Sequence, residues 1–148
     1  MVWMITLEKK YCEAILDGRK QIEVRTRKPK GLSAGDAVLV CKKGSKGLVP
    51  FYFVVDSIAA CSTRLLWSFN HHQMAIDEKD YFEYTKGKSI VYGLRIQRVF
   101  KYEHEVNISD FGVQKAPQWI TFVPCGRTDL IVGSGREVAW KIKDYYIS

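Results

Sequence analysis

Gly18-Arg19-Lys20-Gln21-Ile22-Glu23-Val24-Arg25 is the stretch on which the reading of this 148-residue chain turns. It follows a short amphipathic helix pattern and opens as a β-strand. Side chains alternate faces along a strand, so Ile22 and Val24 point one way and Glu23 and Arg25 the other. Two strand residues span about 6.6 Å, which sets a carboxylate and a guanidinium side by side over one patch of surface. Lys20 stands an odd number of residues from Glu23, on the apolar side of a regular strand. It joins the other two heads only if residues 18–20 form a turn or bulge, and Gly18 makes that easy. The plainer alternative is an exposed strand face laced by salt bridges.

Upstream, residues 2–7 (Val-Trp-Met-Ile-Thr-Leu) read as a buried first strand. Residues 8–17 carry Tyr11, Ile15 and Leu16 at helical spacing, and Gly18 fits the left-handed position that ends a helix. Downstream, the second strand runs to about Thr26, where Pro29 and Gly31 break it. Ser33-Ala34-Gly35-Asp36 is a turn signal, and residues 37–41 form a third strand. Lys42-Lys43-Gly44-Ser45-Lys46-Gly47 is too polar and glycine-rich to pack, so a mobile hairpin tip is expected, either solvated or wrapped on a phosphate.

Residues 50–60 alternate Phe51, Phe53 and Val55 with Tyr52 and Val54, a pattern for a central strand buried on both faces. Ser62 or Thr63 caps a short helix whose Leu65, Leu66, Trp67 and Phe69 are expected to face the core. His71-His72 falls in a loop. Asp77 caps another helix, with Glu78 and Asp80 in its first turn and Gly87 at its end. Its aromatics Tyr81, Phe82 and Tyr84 are read first as core packing. Residues 90–102 form the clearest strand, and residues 119–123 another. Beyond Pro124, Gly133-Ser134-Gly135 separates Leu130-Ile131-Val132 from Val138-Ala139-Trp140-Lys141-Ile142, which predicts a C-terminal hairpin, with a terminal helix as the alternative. No repeat, linker or second domain is read, so residues 1–148 are expected to be one domain.

Composition sets the outer bounds. With 47% apolar residues the chain can bury a core without metal or disulfides. Cys12, Cys41, Cys61 and Cys125 include no Cys-x-x-Cys pair and read as small buried hydrophobes, and their spacing to His71 and His72 gives no zinc pattern. No apolar run of about 18 residues and no charged-then-apolar leader is found, so a cytoplasmic protein with no membrane partner is expected. The net charge of +7 is uneven: residues 1–50 hold 11 bases and 5 acids. Arg19, Lys20, Arg25, Arg27, Lys28 and Lys30 stand against Glu23 alone in residues 19–30. A positive surface concentrated near one motif favours a polyanionic partner.

Gly-x-Lys-x-x-Glu-x-Arg, filled by Gly18, Lys20, Glu23 and Arg25, resembles the signature of the ASCH family, small PUA-like β-barrels associated with RNA. Leu7 to Leu16 and Leu32 to Val40 resemble the family's flanking segments. Tyr84-x-x-Gly87, Tyr92 to Ile96 and Ala116-Pro117-Gln118-Trp119 resemble later ones. The likeness covers about residues 3–123, leaving 124–148 as an extension. It implies an α+β fold: a PUA-like barrel of about six strands with two or three short helices at its rim. It also implies a cleft with the octet on one wall.

Carried over by position, Lys20, Glu23 and Arg25 are the site, joined by Arg27, Gln118, Trp119 and Tyr84 as nucleic-acid contacts. Arg25 would grip a phosphate or base edge through planar donors while Lys20 acts as a point charge. Trp67, Tyr84 and Trp119 are candidates for stacking a base. A glutamine beside an indole, Gln118-Trp119, could read a base edge while the ring stacks.

Family members divide into RNA binders and transcription coactivators, reported ribonucleases, and a branch that hydrolyses the acetyl amide of a modified cytidine. In that last branch a Thr stands where Glu23 is here, with Lys and a distant Glu completing the site. Glu23 therefore removes the hydroxyl nucleophile, although Glu78 or Glu83 could supply the distant carboxylate. Glu23 has two expected roles, of which the preferred one is structural, fixing Arg25. If the chain is an enzyme, Lys20 and Glu23 are its catalytic pair, Glu23 taking a proton and Lys20 stabilising the developing negative charge. The leading expectation is an RNA- or nucleotide-binding module taking RNA, another single strand or a modified nucleoside, without cofactor or metal. The alternatives are a small hydrolase of RNA or of a modified nucleoside, and a protein-interaction module in transcription regulation.

Overall fold

The structure is a computed structural model that describes residues 1–124, 131 and 133–140. Its frame is a mixed sheet curved into a half-barrel. The strands are β1 (Val2–Leu7), β2 (Ile22–Arg25), β3 (Ala37–Lys42), β4 (Phe51–Ser62), β5 (Ile90–Lys101), β6 (Thr121–Phe122) and β7 (Arg136–Glu137). They lie in the order β2-β5-β4-β3-β1-β6, with β7 paired to β5. β1 and β3 run parallel and the other pairs antiparallel.

Period-two patterning decides what each face buries. Trp3, Ile5 and Leu7 of β1, Val38 and Val40 of β3, and Phe51, Phe53 and Val55 of β4 enter one core. Met4, Leu39, Cys41 and Tyr52 alternate with them and enter a second core on the opposite face. Strands with both faces covered read as near-continuous apolar runs, as these do. The long pair β4–β5 shifts register between Val54 and Ser57. A bulge of this kind bends and twists the strands, which curls the sheet.

Among the described residues, α1 (Lys9–Leu16), α2 (Thr63–Asn70) and α3 (Glu78–Tyr84) lie against this sheet. Asp17 caps α1, and Gly18 follows at φ +87°, the left-handed turn expected of it. Ser62 caps α2 by accepting from the Leu65 amide at 3.1 Å. Ile22 and Val24 of β2 meet Leu66, Met74, Tyr81 and Val91 in a third apolar cluster under α2 and α3.

Several expectations need correcting. Only Leu66 of α2 is fully buried, while Leu65 and Phe69 are 53% and 71% exposed. A two-turn helix packed on a sheet covers one narrow stripe, so Leu65, Leu66, Trp67 and Phe69 cannot all turn inward. His71 and His72 sit in a short 3-10 turn (His71–Gln73), not an open loop. Asp77 precedes α3 without a side-chain cap bond. The strand expected at 119–123 contracts to Thr121–Phe122, leaving Trp119 exposed outside it. Cys12 and Cys41 are buried and Cys61 half-buried, while Cys125 lies outside the described residues. The C-terminal hairpin falls largely outside them too; within them, Arg136–Glu137 pairs with β5.

Candidate functional site

After Gly18 turns the chain, the Lys20 amide bonds back to the Ala14 carbonyl at 2.9 Å, so Lys20 lies in the turn and not in the strand. That departure swings its side chain off the apolar face. The ammonium reaches the Glu23 carboxylate at 3.4 Å, and Arg25 meets the other oxygen of the same carboxylate at 3.2 Å. Of the turn or bulge needed to bring the three heads together, the turn is present. Lys20 and Glu23 are 3% and 4% exposed, so this is a desolvated charge cluster rather than a solvated salt-bridge ladder.

The cluster is held from outside the octet. The Lys20 ammonium donates to the Met74 carbonyl at 2.7 Å, and the Gln21 amide donates to the Gln73 carbonyl at 2.7 Å. The 3-10 turn and the residue after it thus clamp the motif through backbone carbonyls that carry no side-chain signature. The ammonium also stands 5.1 Å from the Tyr11 ring centre, a cation–π contact. Burial pushes the Lys20 pKa below the ordinary lysine value, and the Glu23 carboxylate opposes that shift.

Lys20, Glu23 and Arg25 together line a cavity of about 440 Å³ between β2, α1 and α3. Among the described residues its walls carry four cations (Lys10, Lys20, Arg25, Lys43) and four carboxylates (Glu8, Glu23, Asp80, Glu83), with Tyr11 and Tyr84 between them. The excess positive charge expected at the motif lies beside this cleft, not inside it. Asp80, Glu83 and Tyr84 share one face of α3 through helical spacing, and Glu8 and Tyr11 do the same at the start of α1. That periodicity was available in the chain and marks the residues the motif alone misses.

Tyr84 lines the cleft and is 45% exposed, as a stacking residue must be. Trp67 is not in it: its ring packs 4.9 Å from Tyr81 and 5.2 Å from His71. Glu83 reaches the cleft, whereas Glu78 is not among its walls. Gln118 meets Arg25 through its carbonyl, at 3.4 Å, not through the side-chain amide proposed to read a base. Trp119 and Arg27 stack on each other, the guanidinium 4.1 Å from the ring centre, and line a neighbouring cavity that shares Arg25 with the cleft. On the buried face of α1, the Cys12 thiol is pushed up to about 11 and cannot serve as a thiolate nucleophile near neutrality. Among the described residues no group of three His, Cys, Asp or Glu side chains could hold a metal. No helix there is long and apolar enough to cross a membrane.

A family model described as the ASCH domain matches residues 5–124. The fold is similar to that of the crystal structure of ASCH from Zymomonas mobilis, with a TM-score of 0.77 and 18% identity over 90% of this chain and 95% of that one. A mutant crystal structure of the same Zymomonas mobilis protein gives 0.76 and 18%, over 90% and 98%. No curated protein matches the chain. At such identity the likeness speaks to the fold alone.

Proposed function

Because the chain belongs to the ASCH domain family, whose character is generally RNA-binding-like, we propose that it is an RNA- or nucleotide-binding module that seats one base in the cleft beside Lys20, Glu23 and Arg25. The observation that carries this reading is the convergence of those three heads on a cavity with tyrosines in its walls. An interior with balanced charge suits an uncharged, hydrogen-bonding ring better than a phosphate. Tyr84 supplies an exposed face for stacking, and Arg25 keeps guanidinium donors beyond those it gives to Glu23 and Gln118. Those spare donors suit a phosphate or a base edge at the cavity mouth. Arg27 and Trp119 extend the same surface, and Gln118 positions Arg25 through its backbone.

Titration of labelled single-stranded RNA tests this. Affinity should fall as salt rises, because phosphate contacts release counterions. Tyr84→Ala should weaken binding by about 1–3 kcal/mol, the usual worth of one stacked base. Arg25→Ala should cost about 1–3 kcal/mol, the usual worth of a good bidentate contact. Binding that ignores salt and both substitutions retires the reading.

One observation favours a hydrolytic second reading. A desolvated lysine with a lowered pKa stands 3.4 Å from a buried carboxylate, and Asp80 and Glu83 line the same cavity. Glu23 would take a proton from water or a ribose hydroxyl and Lys20 would steady the negative charge that develops. Against it, Glu23 is already committed to two cations, which suits holding more than proton transfer. Incubation with RNA and with N4-acetylcytidine, each with and without divalent metal, separates the two. Turnover lost in both Lys20→Ala and Glu23→Ala supports the enzyme; turnover surviving the double substitution places it elsewhere.

A further inference from the structure

Three cavities lie along one strap of chain between β5 and β6. Gly112 to Ala116 line a cavity of about 690 Å³. Pro117 then accepts a hydrogen bond from Thr6 at 2.7 Å and Gln118 one from Arg25 at 3.4 Å, and both donors belong to walls of the central cleft. Trp119 and Ile120 continue into a third cavity of about 260 Å³. The three are linked on the opposite side as well. Arg25 lines both the cleft and the third cavity, while the neighbours Lys42 and Lys43 line the large cavity and the cleft respectively.

Charge divides along this path in a way that the chain order does not reveal. Among the described residues, the walls of the third cavity carry Arg25, Arg27 and Lys28 and no carboxylate. Those of the large cavity carry Lys42, Lys46 and Lys115 and likewise no carboxylate among the described residues. The cleft between them is balanced. A single-stranded polynucleotide alternates in the same sense, with a neutral base carried between charged phosphates. The strap advances at most about 10 Å from Ala116 to Trp119, so the flanks are near enough to serve the nucleotides on either side of one seated base.

Resting on the nucleotide reading of the cleft, we propose that the strap guides an RNA strand across all three cavities. One base enters the centre. The phosphates on one side meet Lys42, Lys46 and Lys115, and those on the other meet Arg25, Arg27 and Lys28, where the exposed Trp119 indole offers the next base a stacking plate. The preferred ligand is then a run of at least three nucleotides, not a free nucleoside or mononucleotide.

The test compares a pool of all four nucleoside 5′-monophosphates with a mixed-sequence RNA hexamer, by competition against a labelled hexamer. Two double variants at exposed positions, Lys46→Ala with Lys115→Ala and Arg27→Ala with Lys28→Ala, are checked for an unchanged melt. The hexamer should bind at least a hundredfold tighter than the monophosphates. Each double variant should weaken the hexamer about tenfold and flatten its log-affinity against log-salt slope by about 1.4, two charges at about 0.7 each. The Lys46 and Lys115 pair should leave monophosphate binding unchanged. A hexamer that binds no tighter than the monophosphates, or slopes untouched by either pair, overturns the path but leaves the cleft reading standing if Tyr84→Ala still weakens the monophosphates. Polyglutamate competing as well as RNA at equal charge also overturns it. If neither nucleotide class binds, both readings fall together.

Discussion

Glu23 is the residue whose removal the cluster tolerates least. It is the shared counter-charge for an ammonium at 3.4 Å and a guanidinium at 3.2 Å, all three largely out of water. Taking away one partner of a buried pair strands the other charge, at a cost of about 3–5 kcal/mol. Glu23→Ala should lower the free energy of unfolding by an amount of that order in denaturant titration. Lys20→Met should cost much less, because Glu23 keeps Arg25 and an apolar chain refills the space; a loss equal to that of Glu23→Ala would show the triad is not organised around the carboxylate. Lys20 also has a pH signature. Its folded pKa lies below the ordinary 10.5, so between the two values the unfolded chain holds a proton the folded one has released. Stability attributable to Lys20 therefore rises with pH across that window, and below it the burial penalty stands in full. Tyr81 works oppositely: burial holds its phenol up to about 12, so above pH 10 the unfolded chain ionises first and stability falls. The difference between wild type and Lys20→Met across pH isolates the lysine, and a flat difference overturns the assignment. The contacts among Lys20, Glu23 and Arg25 were legible from spacing and one glycine. Tyr11 and the Met74 carbonyl were not, since one is an ordinary apolar-face residue of α1 and the other a backbone oxygen.

Elements were readable where one physical signal dominated. β1, β3, β4 and β5 carry period-two patterns long enough to fix both faces, and their bounds came out within a residue or two. α2 shows where such reading ends. Leu65, Leu66, Trp67 and Phe69 are all apolar, yet an eight-residue helix buries a stripe set by its neighbours, here Gly93 and Ile22 of β5 and β2. The two N-caps make the contrast measurable. Ser62 accepts a 3.1 Å bond from the Leu65 amide, while Asp77, at the equivalent place before α3, makes no cap bond. Ser62→Ala should cost about 1 kcal/mol, a typical loss for a cap. Asp77→Ala should cost less, since only its charge near the helix start is lost. Thermal or denaturant melts of the two variants decide the order, and equal losses would contradict it. The strap of residues 112–119 was legible only in part, because its place is set by contacts with Thr6 and Arg25, more than ninety residues away in the chain.

At the scale of the whole molecule, the motif depends on a part of the chain beyond the family match at residues 5–124. β7 pairs with β5, the Val138 amide bonds to the Val99 carbonyl at 2.8 Å, and Trp140 then lies against the turn that begins the octet. Its indole donates to the Ile15 carbonyl at 2.8 Å, near the end of α1, an oxygen that the Gly18 amide also reaches at 3.2 Å. A Cβ placed on Gly18 would stand 3.0 Å from the indole, so glycine is required there by close approach as well as by its positive φ. The helix-to-strand turn is therefore clamped from outside by Trp140 and from inside by Gln73 and Met74. Trp140→Ala should remove about 2–3 kcal/mol, somewhat below the range for a fully buried tryptophan because this ring is only partly covered. The local effect is the more telling one. The Lys20 amide, bonded to the Ala14 carbonyl, should exchange with solvent faster in Trp140→Ala by more than the global loss explains. Trp140→Phe, which keeps a ring but loses the indole donor, should fall between the two. If Lys20 protection drops only in step with global stability, the C-terminal contact supports the fold as a whole without specifically bracing the turn that carries Lys20.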